Sequence, residues 1–329
     1  MYPSISIVVP TYNEEDNIER CLDSIYFQDY PKELLEVIVV DNYSEDKTLE
    51  LIKRYPVTVL MNRKKDAQVS KMIGFRKATG DLFYYMDADL EFVNKDYLKK
   101  LLKPLLEDPQ IVGSSGKIIQ APQDTSLNKF LTYDIHQRDP VLEYFSPSIL
   151  STVSEKRDGY LLCEYTPEII PPVGRCLFWR KKLMQTPIWK EEKFMELDNL
   201  VILVKNGFTR FAFVPEAIEY HLHVKGIKSL INKRLRNIDR NFLPSYKTRR
   251  YTWFNLGNKR DVFKILFWIM YAHLIIPAAV KGFIKAVHFR DFRCILYEPL
   301  LTLLLTDITL YGFITDPRGL AFIRSKLLR

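Results

Sequence analysis

Apolar and polar residues alternate in blocks along the first ninety positions of the chain. Apolar runs that predict buried strands occupy 4–9, 35–40, 57–61 and 82–86. Apolar residues recur at helical spacing in 14–26, 48–54 and 66–79. Buried strands that alternate with helices favour an α/β fold with a mostly parallel sheet and helices on both faces.

Polar residues follow three of the predicted strands directly, at 10–14, 41–46 and 87–89. The carboxyl ends of parallel strands lie at one edge of the sheet, which is where this architecture binds ligands. Asp87 and Asp89 occupy alternating positions there, so both carboxylates can face one hard cation with oxygen ligands. Taken alone, the pair could equally be two solvated loop aspartates.

The pattern weakens after Pro109, and residues 120–172 are interpreted as a partly irregular region. Order returns at 173–180. A helix is then expected around 198–206 and a turn at Gly207, followed by strand-like runs at 208–214 and 216–223.

Three motifs together resemble the family 2 glycosyltransferases, which have the A-type glycosyltransferase fold. They are VVPTYNEE at 8–15, VVDNYSED at 39–46 and KMIGFRKATGDLFYYMDADL at 71–90. The resemblance is closest over 4–118 and extends less closely over 171–224. It implies a nucleotide-binding sheet with a metal-binding Asp-x-Asp, followed by an acceptor-binding half.

The resemblance also implies roles for individual residues. Those expected to contact the nucleotide are Pro10, Thr11, Glu14, Asp41, Lys71 and Asp87. Those expected to bind a divalent cation, Mn²⁺ or Mg²⁺, are Asp87, Asp89 and His221. Lys71 stands where the family usually has an arginine, and it could meet a phosphate as a point charge. A lone histidine is more often structural, and imidazole suits Mn²⁺ better than Mg²⁺.

The spacing of the second half aligns a catalytic base with the family pattern. The intervals from Asp198 to Gly207 and from Pro215 to His221 match that pattern, and this register places Glu196 at the family's catalytic aspartate. Asp198 is the second choice for the base. Both carboxylates could instead be simple partners of a helix N-terminal dipole.

These assignments predict a metal-dependent glycosyltransferase that works by direct displacement with inversion, since one base would lie opposite the leaving group. A Gln-x-x-Arg-Trp motif is absent from the sequence, which favours a single transfer over polymerisation. One alternative is a nucleotidyltransferase that makes a sugar nucleotide, but residues 8–16 lack the glycines of a phosphate loop. The other is a non-catalytic membrane adaptor.

The net charge of +8 is concentrated in a basic belt, defined as residues 225–260, which holds 11 basic side chains and one acidic one. Nucleic acid would fit this charge. An anionic membrane surface fits better, because the belt runs directly into the apolar segment 262–280. A solvated helical face is the third possibility.

The apolar end offers two stretches, 265–280 and 294–314, that are short or interrupted for membrane spans. A spanning hairpin would carry Lys281, Lys285, Arg290 and Arg293 to the far side, against the positive-inside tendency. Amphipathic helices in the interface are therefore expected, with a hairpin or buried core helices as alternatives.

The expected organisation is a catalytic domain over 1–224 and membrane-associated helices over 225–329. Within the catalytic domain, 1–118 would bind the nucleotide sugar, and 119–224 would supply the acceptor side and the base. The four cysteines lack metal-site or disulfide spacing, which favours a reducing compartment. The expected location is the cytoplasmic face of a membrane. The expected partners are a nucleotide sugar, a lipid-linked or other amphiphilic acceptor and the membrane surface, without nucleic acid.

Overall fold

The computed structural model describes residues 2–173 and 175–327. The chain divides into two compact units. The first comprises the residues up to Ile119 together with Pro147–His221, and the second comprises Gln120–Ser146 together with the residues from Leu222 onward. The segment 120–146, which the sequence assigned to the acceptor side, therefore packs with the C-terminal helices.

The first unit is built on one mixed sheet. Its strands within the described residues are β1 (Ile5–Thr11), β2 (Leu35–Asp41), β3 (Thr58–Met61), β4 (Leu82–Tyr85), β5 (Leu90–Phe92), β6 (Gly113–Ile119), β7 (Val153–Arg157), β8 (Tyr160–Glu164), β9 (Leu177–Trp179) and β10 (Arg210–His221). Their order is β3-β2-β1-β4-β9-β6-β10-β8-β7, and β5 pairs with β10.

The strands β1 to β4 pair in parallel, as the apolar runs predict. The expected burial of the third run is wrong, because β3 lies at the edge of the sheet and is mostly exposed. Ile5 to Thr11 are all buried, which explains why the apolar residues of this strand are not confined to alternate positions. Beyond β4 the sheet becomes mixed, because β9 runs antiparallel between β4 and β6. Within 173–180, where order was expected to return, β9 covers Leu177–Trp179, and Gly174 lies outside the described residues.

Helices cover this sheet and are numbered along the whole chain. Those of the first unit are α1 (Ile18–Tyr26), α2 (Thr48–Ile52), α3 (Ala67–Lys77), α4 (Tyr97–Glu107), α7 (Arg180–Met184) and α8 (Glu196–Lys205). The helix α3 lies very close to β1 at Gly74, where an added Cβ would stand 2.3 Å from Cγ1 of Val8. Lys71, three residues earlier on α3, is buried.

The region interpreted as partly irregular holds more order than the sequence pattern indicates. It contains the helices α5 (Ser126–Leu131) and α6 (Pro140–Phe145) and the antiparallel hairpin of β7 and β8. These elements are five or six residues long, which is too short for a periodic pattern to emerge. Caps identify the two helices instead, since Thr125 and Asp139 accept hydrogen bonds from their first-turn amides.

The second unit is helical. Besides α5 and α6 it contains α9 (Ile227–Arg236), α10 (Lys259–Leu274), α11 (Ile276–Phe289), α12 (Cys294–Ile314) and α13 (Pro317–Leu327), with a π-helical segment at Asn237–Phe242. Its core joins the two parts of the unit: Phe130 and Phe145 from the inserted segment lie in one cluster with Trp268, Leu301 and Leu305.

A ring of four charges around the buried Glu298 joins α11 and α12 to α6. Glu298 is fully buried in α12, and its two oxygens lie 2.9 Å from Nζ of Lys281 and 2.8 Å from Nζ of Lys285. The same two ammonium groups lie 3.0 and 2.8 Å from Glu143 of α6. Each charge in this ring has two partners of opposite sign, as buried ions require.

One described helix, α12, is long and apolar enough to cross a membrane. The pair α10 and α11 passes the same test together, but the two helices are bent by 78° at their junction. Buried core helices of soluble proteins have the same length and composition, so the packing of these helices has to decide between the two cases.

Candidate active site

The loops after β1 and β2 are joined by a buried aspartate. Thr11 pairs with Asp41 across the two parallel strands, and its hydroxyl donates to the Asp41 carboxylate over 2.8 Å. That carboxylate also accepts from the backbone amide and the hydroxyl of Ser44, at 2.8 and 2.6 Å. Asp41 therefore holds the shape of the loop at the edge where a nucleotide base is predicted.

Pro10 and Glu14 flank this loop as the sequence predicts. Pro10 is buried at the end of β1 opposite Val40. The backbone amide of Glu14 donates to the hydroxyl of Thr48. The carboxylate of Glu14 accepts a hydrogen bond from the side-chain amide of Asn17. These contacts fix the backbone at the start of α1 beside the same edge. Contact of Pro10, Thr11, Glu14 and Asp41 with a nucleotide stays a prediction.

Lys71 joins two of the predicted functional carboxylates. Its Nζ lies 2.9 Å from Oδ1 of Asp87 and donates to Oε1 of Glu196 over 2.5 Å, although Glu196 is 125 residues away in sequence. The lysine side chain is only 4% exposed, and Nζ lies 4.4 Å from the ring centre of Tyr85. Lys71 thus bridges two carboxylates. Its contact with a phosphate stays a prediction.

The electrostatics of the bridge keep Lys71 and Asp87 ionised. Burial alone would lower the pKa of Lys71, but Asp87 and Glu196 outweigh it and hold that pKa above its ordinary value. Burial and Asp89 would raise the pKa of Asp87, whereas Lys71 and Arg175 lower it, and the net shift is downward. Asp87 is accordingly a carboxylate at neutral pH, as a metal ligand must be.

Asp89 and His221 are brought together by the pairing of β5 with β10. Leu90 pairs with His221, the last residue of β10, which sets the histidine beside the residue that precedes β5. Oδ1 of Asp89 lies 3.4 Å from Nε2 of His221. A carboxylate oxygen and an imidazole nitrogen at this separation fit the mixed oxygen and nitrogen ligation that Mn²⁺ accepts.

The two candidate bases lie in the first turn of α8. Glu196 is the first residue of the helix and Asp198 is buried two residues later. Neither of them is the N-cap, which is Met195. The contact with Lys71 sets Glu196 beside Asp87.

Two residues that the sequence reasoning missed lie behind this site. Glu219 is buried in β10 and binds Nε of Arg175 at 3.1 Å, while its other oxygen accepts from the hydroxyls of Tyr97 and Tyr84 at 2.9 and 3.2 Å. Arg175 contributes to the lowered pKa of Asp87. The available signal was an acidic residue on the buried side of a strand, since such a charge requires a partner.

Comparison with known proteins identifies the first part of the chain. Residues 6–153 match the family model described as glycosyl transferase family 2. The chain carries a family 2 glycosyltransferase domain. The resemblance seen in the three motifs is thereby confirmed, while Glu196, Asp198 and His221 lie beyond the matched residues.

Relatives of this glycosyltransferase domain include two archaeal proteins. One, from Methanococcus voltae, is named dolichyl N-acetyl-alpha-D-glucosaminyl phosphate 3-beta-D-2,3-diacetamido-2,3-dideoxy-beta-D-glucuronosyltransferase. It is 32% identical over 133 residues, which is 37% of this chain and 41% of the relative. The other, the dolichol-phosphate mannosyltransferase of Pyrococcus furiosus, is 40% identical over 130 residues, which is 36% of each chain. The chain therefore matches less than half the length of each relative.

A solved structure resembles the chain in fold over almost its whole length. It is the mannosyltransferase PcManGT from Pyrobaculum calidifontis in complex with GDP-Man and Mn²⁺, with a TM-score of 0.50 and 19% identity. The likeness covers 99% of this chain and 79% of that one. This likeness confirms the predicted A-type glycosyltransferase fold.

Proposed function

We propose that the protein transfers a sugar from a nucleotide-sugar donor to an acceptor hydroxyl, with inversion at the anomeric carbon and with a divalent cation. The observation that carries this proposal is the convergence of Asp87 and Glu196 on Lys71. Donor-side and base-side carboxylates separated by more than a hundred residues meet at one ammonium group. The family 2 domain supports transfer of a sugar over synthesis of a sugar nucleotide.

The residues that would hold Mn²⁺ or Mg²⁺ are Asp87, Asp89 and His221, whose donor atoms suit such an ion. When bound, the ion supplies Lewis-acid neutralisation of the leaving diphosphate. The chain's own contribution is to keep Asp87 ionised through Lys71 and to fix His221 through the pairing of β5 with β10. Asp41 and Thr11 shape the loop where the nucleotide base would bind.

Glu196 is the proposed general base. Lys71 holds its Oε1, so the other oxygen, Oε2, is the one that takes the proton from the acceptor hydroxyl. A carboxylate in this role needs a fixed position within hydrogen-bond reach of the hydroxyl. The ion pair supplies that fixed position, since it anchors a flexible side chain at one atom.

The proposed acceptor is a lipid-linked saccharide presented at the cytoplasmic face of a membrane. The names of the two archaeal relatives describe acceptors of two kinds, namely a sugar attached to dolichyl phosphate and dolichol phosphate itself. A phosphate acceptor is already anionic and needs no base, whereas a sugar hydroxyl does. The position of Glu196 favours the first kind.

Donor binding is expected to raise the thermal midpoint only when metal and the correct nucleotide are both present. A screen of nucleoside diphosphates and their sugars, with and without Mn²⁺, measures this directly, because a ligand at a hundred times its Kd stabilises the folded state by about 2.7 kcal/mol. The Asp89→Asn variant should lose the part of the shift that depends on Mn²⁺. An equal shift with and without metal in both proteins would contradict the proposed metal site.

A further inference from the structure

The second unit exposes an unusually large set of apolar side chains on two consecutive helices. We call this set the apolar face. Its members on α10 are Phe263, Leu266, Phe267, Met270 and Leu274, and those on α11 are Ile276, Val280, Phe283, Ile284 and Val287. Both series follow helical spacing, so each helix presents one apolar side outward. The most exposed members are Phe263 at 77% and Ile276 at 73%.

The opposite sides of the same helices face the interior of the second unit. Trp268 and Ala272 of α10 are buried, as are Ala278, Gly282 and Ala286 of α11. The indole of Trp268 donates to the hydroxyl of Thr306 on α12 over 2.9 Å. The side chains of the apolar face are therefore distinct from those that form the core of the second unit.

The ring of charges around Glu298 explains why the two lysines of α11 do not belong to its apolar outer side. Lys281 and Lys285 point inward to Glu298 and Glu143, and their positive charges are neutralised there. Arg293 likewise pairs with Asp291 at 2.8 Å. Three of the four cations that counted against a spanning hairpin in the sequence analysis are thus paired with carboxylates of the same unit. The objection to a span has to come from other residues.

The helix α12 is in contact with polar segments of the second unit near both of its ends. Near its start, Tyr297 contacts the hydroxyl of Ser126 at 2.6 Å, and Glu298 contacts the two lysines that also bind Glu143. Near its end, an added Cβ at Gly312 would meet Ile238 at 3.0 Å. A transmembrane α12 would therefore draw polar helices into the bilayer with it.

The helices that would follow α12 into the bilayer carry exposed charges. Lys228 and Arg236 of α9 and Arg240 of the adjoining π-helical segment are all exposed. Charges on the lipid side of a membrane segment are strongly disfavoured. A spanning arrangement of α12 thus conflicts with the packing of the unit to which it belongs.

We propose that the apolar face lies in the interfacial layer of one leaflet of an anionic membrane, with α10 and α11 along the surface and with no segment of the second unit crossing it. Exposed cations stand at both ends of the face, Lys259 and Arg260 where α10 begins and Arg290 after α11. This arrangement complements anionic headgroups around an apolar centre. The proposal rests on the proposed function in one respect, since an acceptor at the membrane requires the enzyme there.

Binding to vesicles tests the face with two matched variants of the full chain. Phe283→Asp places a charge in the face, and Phe27→Asp places the same charge on α1's C-cap in the first unit, where the side chain is likewise 56% exposed. In co-sedimentation with vesicles of phosphatidylcholine and phosphatidylglycerol, we expect Phe283→Asp to weaken partitioning by about tenfold or more and Phe27→Asp to leave it unchanged. Equal partitioning of all three proteins would overturn the proposal.

Labelling of an introduced thiol separates interfacial binding from a span. The four native cysteines are buried, so Phe292→Cys, at a position 79% exposed between α11 and α12, supplies a single accessible thiol. With protein bound to the outside of sealed vesicles, a membrane-impermeant maleimide should label this thiol as fully as it does after the vesicles are dissolved in detergent. Labelling that appears only after detergent would show that the loop has crossed, and would overturn the proposal.

Two further measurements keep this result separate from the proposed chemistry. Vesicle binding is measured without donor or metal, so it can succeed even if the sugar-transfer proposal fails. The nucleotide-dependent thermal shift of Phe283→Asp should equal that of the wild type, which shows that a loss of vesicle binding is not a loss of folding. If Phe283→Asp instead changes the sedimentation equilibrium without lipid and leaves vesicle binding intact, the face contacts a second copy of the chain and the membrane proposal is wrong.

Discussion

Replacing Glu196 with glutamine is expected to lower kcat by about a thousandfold for an acceptor that reacts through a hydroxyl, because general-base catalysis contributes roughly 10²–10⁴ in rate. The amide keeps the shape of the side chain and can still accept a hydrogen bond from Lys71 through its oxygen, so the site should stay assembled. It cannot take the proton from the acceptor. Steady-state kinetics with a saturating donor measure the change.

The matched control for this variant is Glu192→Gln, four residues earlier, whose side chain is 67% exposed and pairs with Lys64. An exposed ion pair contributes little to stability, so this protein should behave as the wild type. Asp198→Asn tests the second candidate base directly. Full activity in Glu196→Gln together with loss of activity in Asp198→Asn would show that Asp198 is the base. If the acceptor is a lipid phosphate, Glu196→Gln should lose little activity. Retained activity in both variants would therefore favour a phosphate acceptor over a sugar hydroxyl.

Asp89→Asn is expected to remove the dependence of activity on Mn²⁺ and to lower kcat/KM by about a thousandfold, since Lewis-acid stabilisation contributes several kcal/mol and each 1.36 kcal/mol corresponds to a factor of ten. The amide oxygen is a weaker ligand than a carboxylate, while the volume of the side chain is preserved. Activity as a function of Mn²⁺ concentration measures the first effect. Electron paramagnetic resonance of free Mn²⁺ measures binding without reference to turnover.

Asp158→Asn is the control for loss of an aspartate, because its side chain is 97% exposed in the turn between β7 and β8. It should bind Mn²⁺ and turn over as the wild type does. Unchanged Mn²⁺ binding in Asp89→Asn, with activity retained, would remove Asp89 and its neighbour His221 from the proposed metal site.

The sequence predicts those elements of the fold that depend on residues close together in the chain. The strands β1, β2 and β4 consist mainly of apolar residues, and their parallel pairing follows from the helices between them. The turn at Gly207 is equally local: its φ of 85° lies in the left-handed region that favours glycine. Counting from that turn gave the register that placed Glu196 at the start of α8.

The strand β6 escapes the sequence reasoning because its sequence, Gly-Ser-Ser-Gly, is typical of a loop. Tertiary contacts require these small residues. An added Cβ at Gly116 would lie 2.5 Å from the carbonyl oxygen of Ala217, and the hydroxyl of buried Ser114 donates to the carbonyl of Leu101. Central position in the sheet therefore overrides strand propensity.

The contacts of the candidate site are long-range and could not be predicted from spacing. Lys71 and Glu196 are joined across 125 residues, and Arg175 meets Glu219 across 44. The sequence identified Lys71, Asp87 and Glu196 separately, through a family resemblance. That one ammonium group bridges the two carboxylates follows only from the folded arrangement of α3, β4 and α8.

The sharing of Lys71 has a thermodynamic consequence for any pair of substitutions at this site. Removing the charge of Asp87 leaves Lys71 with one partner, so a second change at Glu196 acts on a different ion pair from the one in the wild type. The changes in the free energy of unfolding caused by Asp87→Asn and Glu196→Gln should then differ from additivity by about 0.5–3 kcal/mol, as is typical of residues within one charge network. In a Lys71→Met background the effects of the same two substitutions should be additive. Donor side and base side would thus be energetically coupled through a single nitrogen atom.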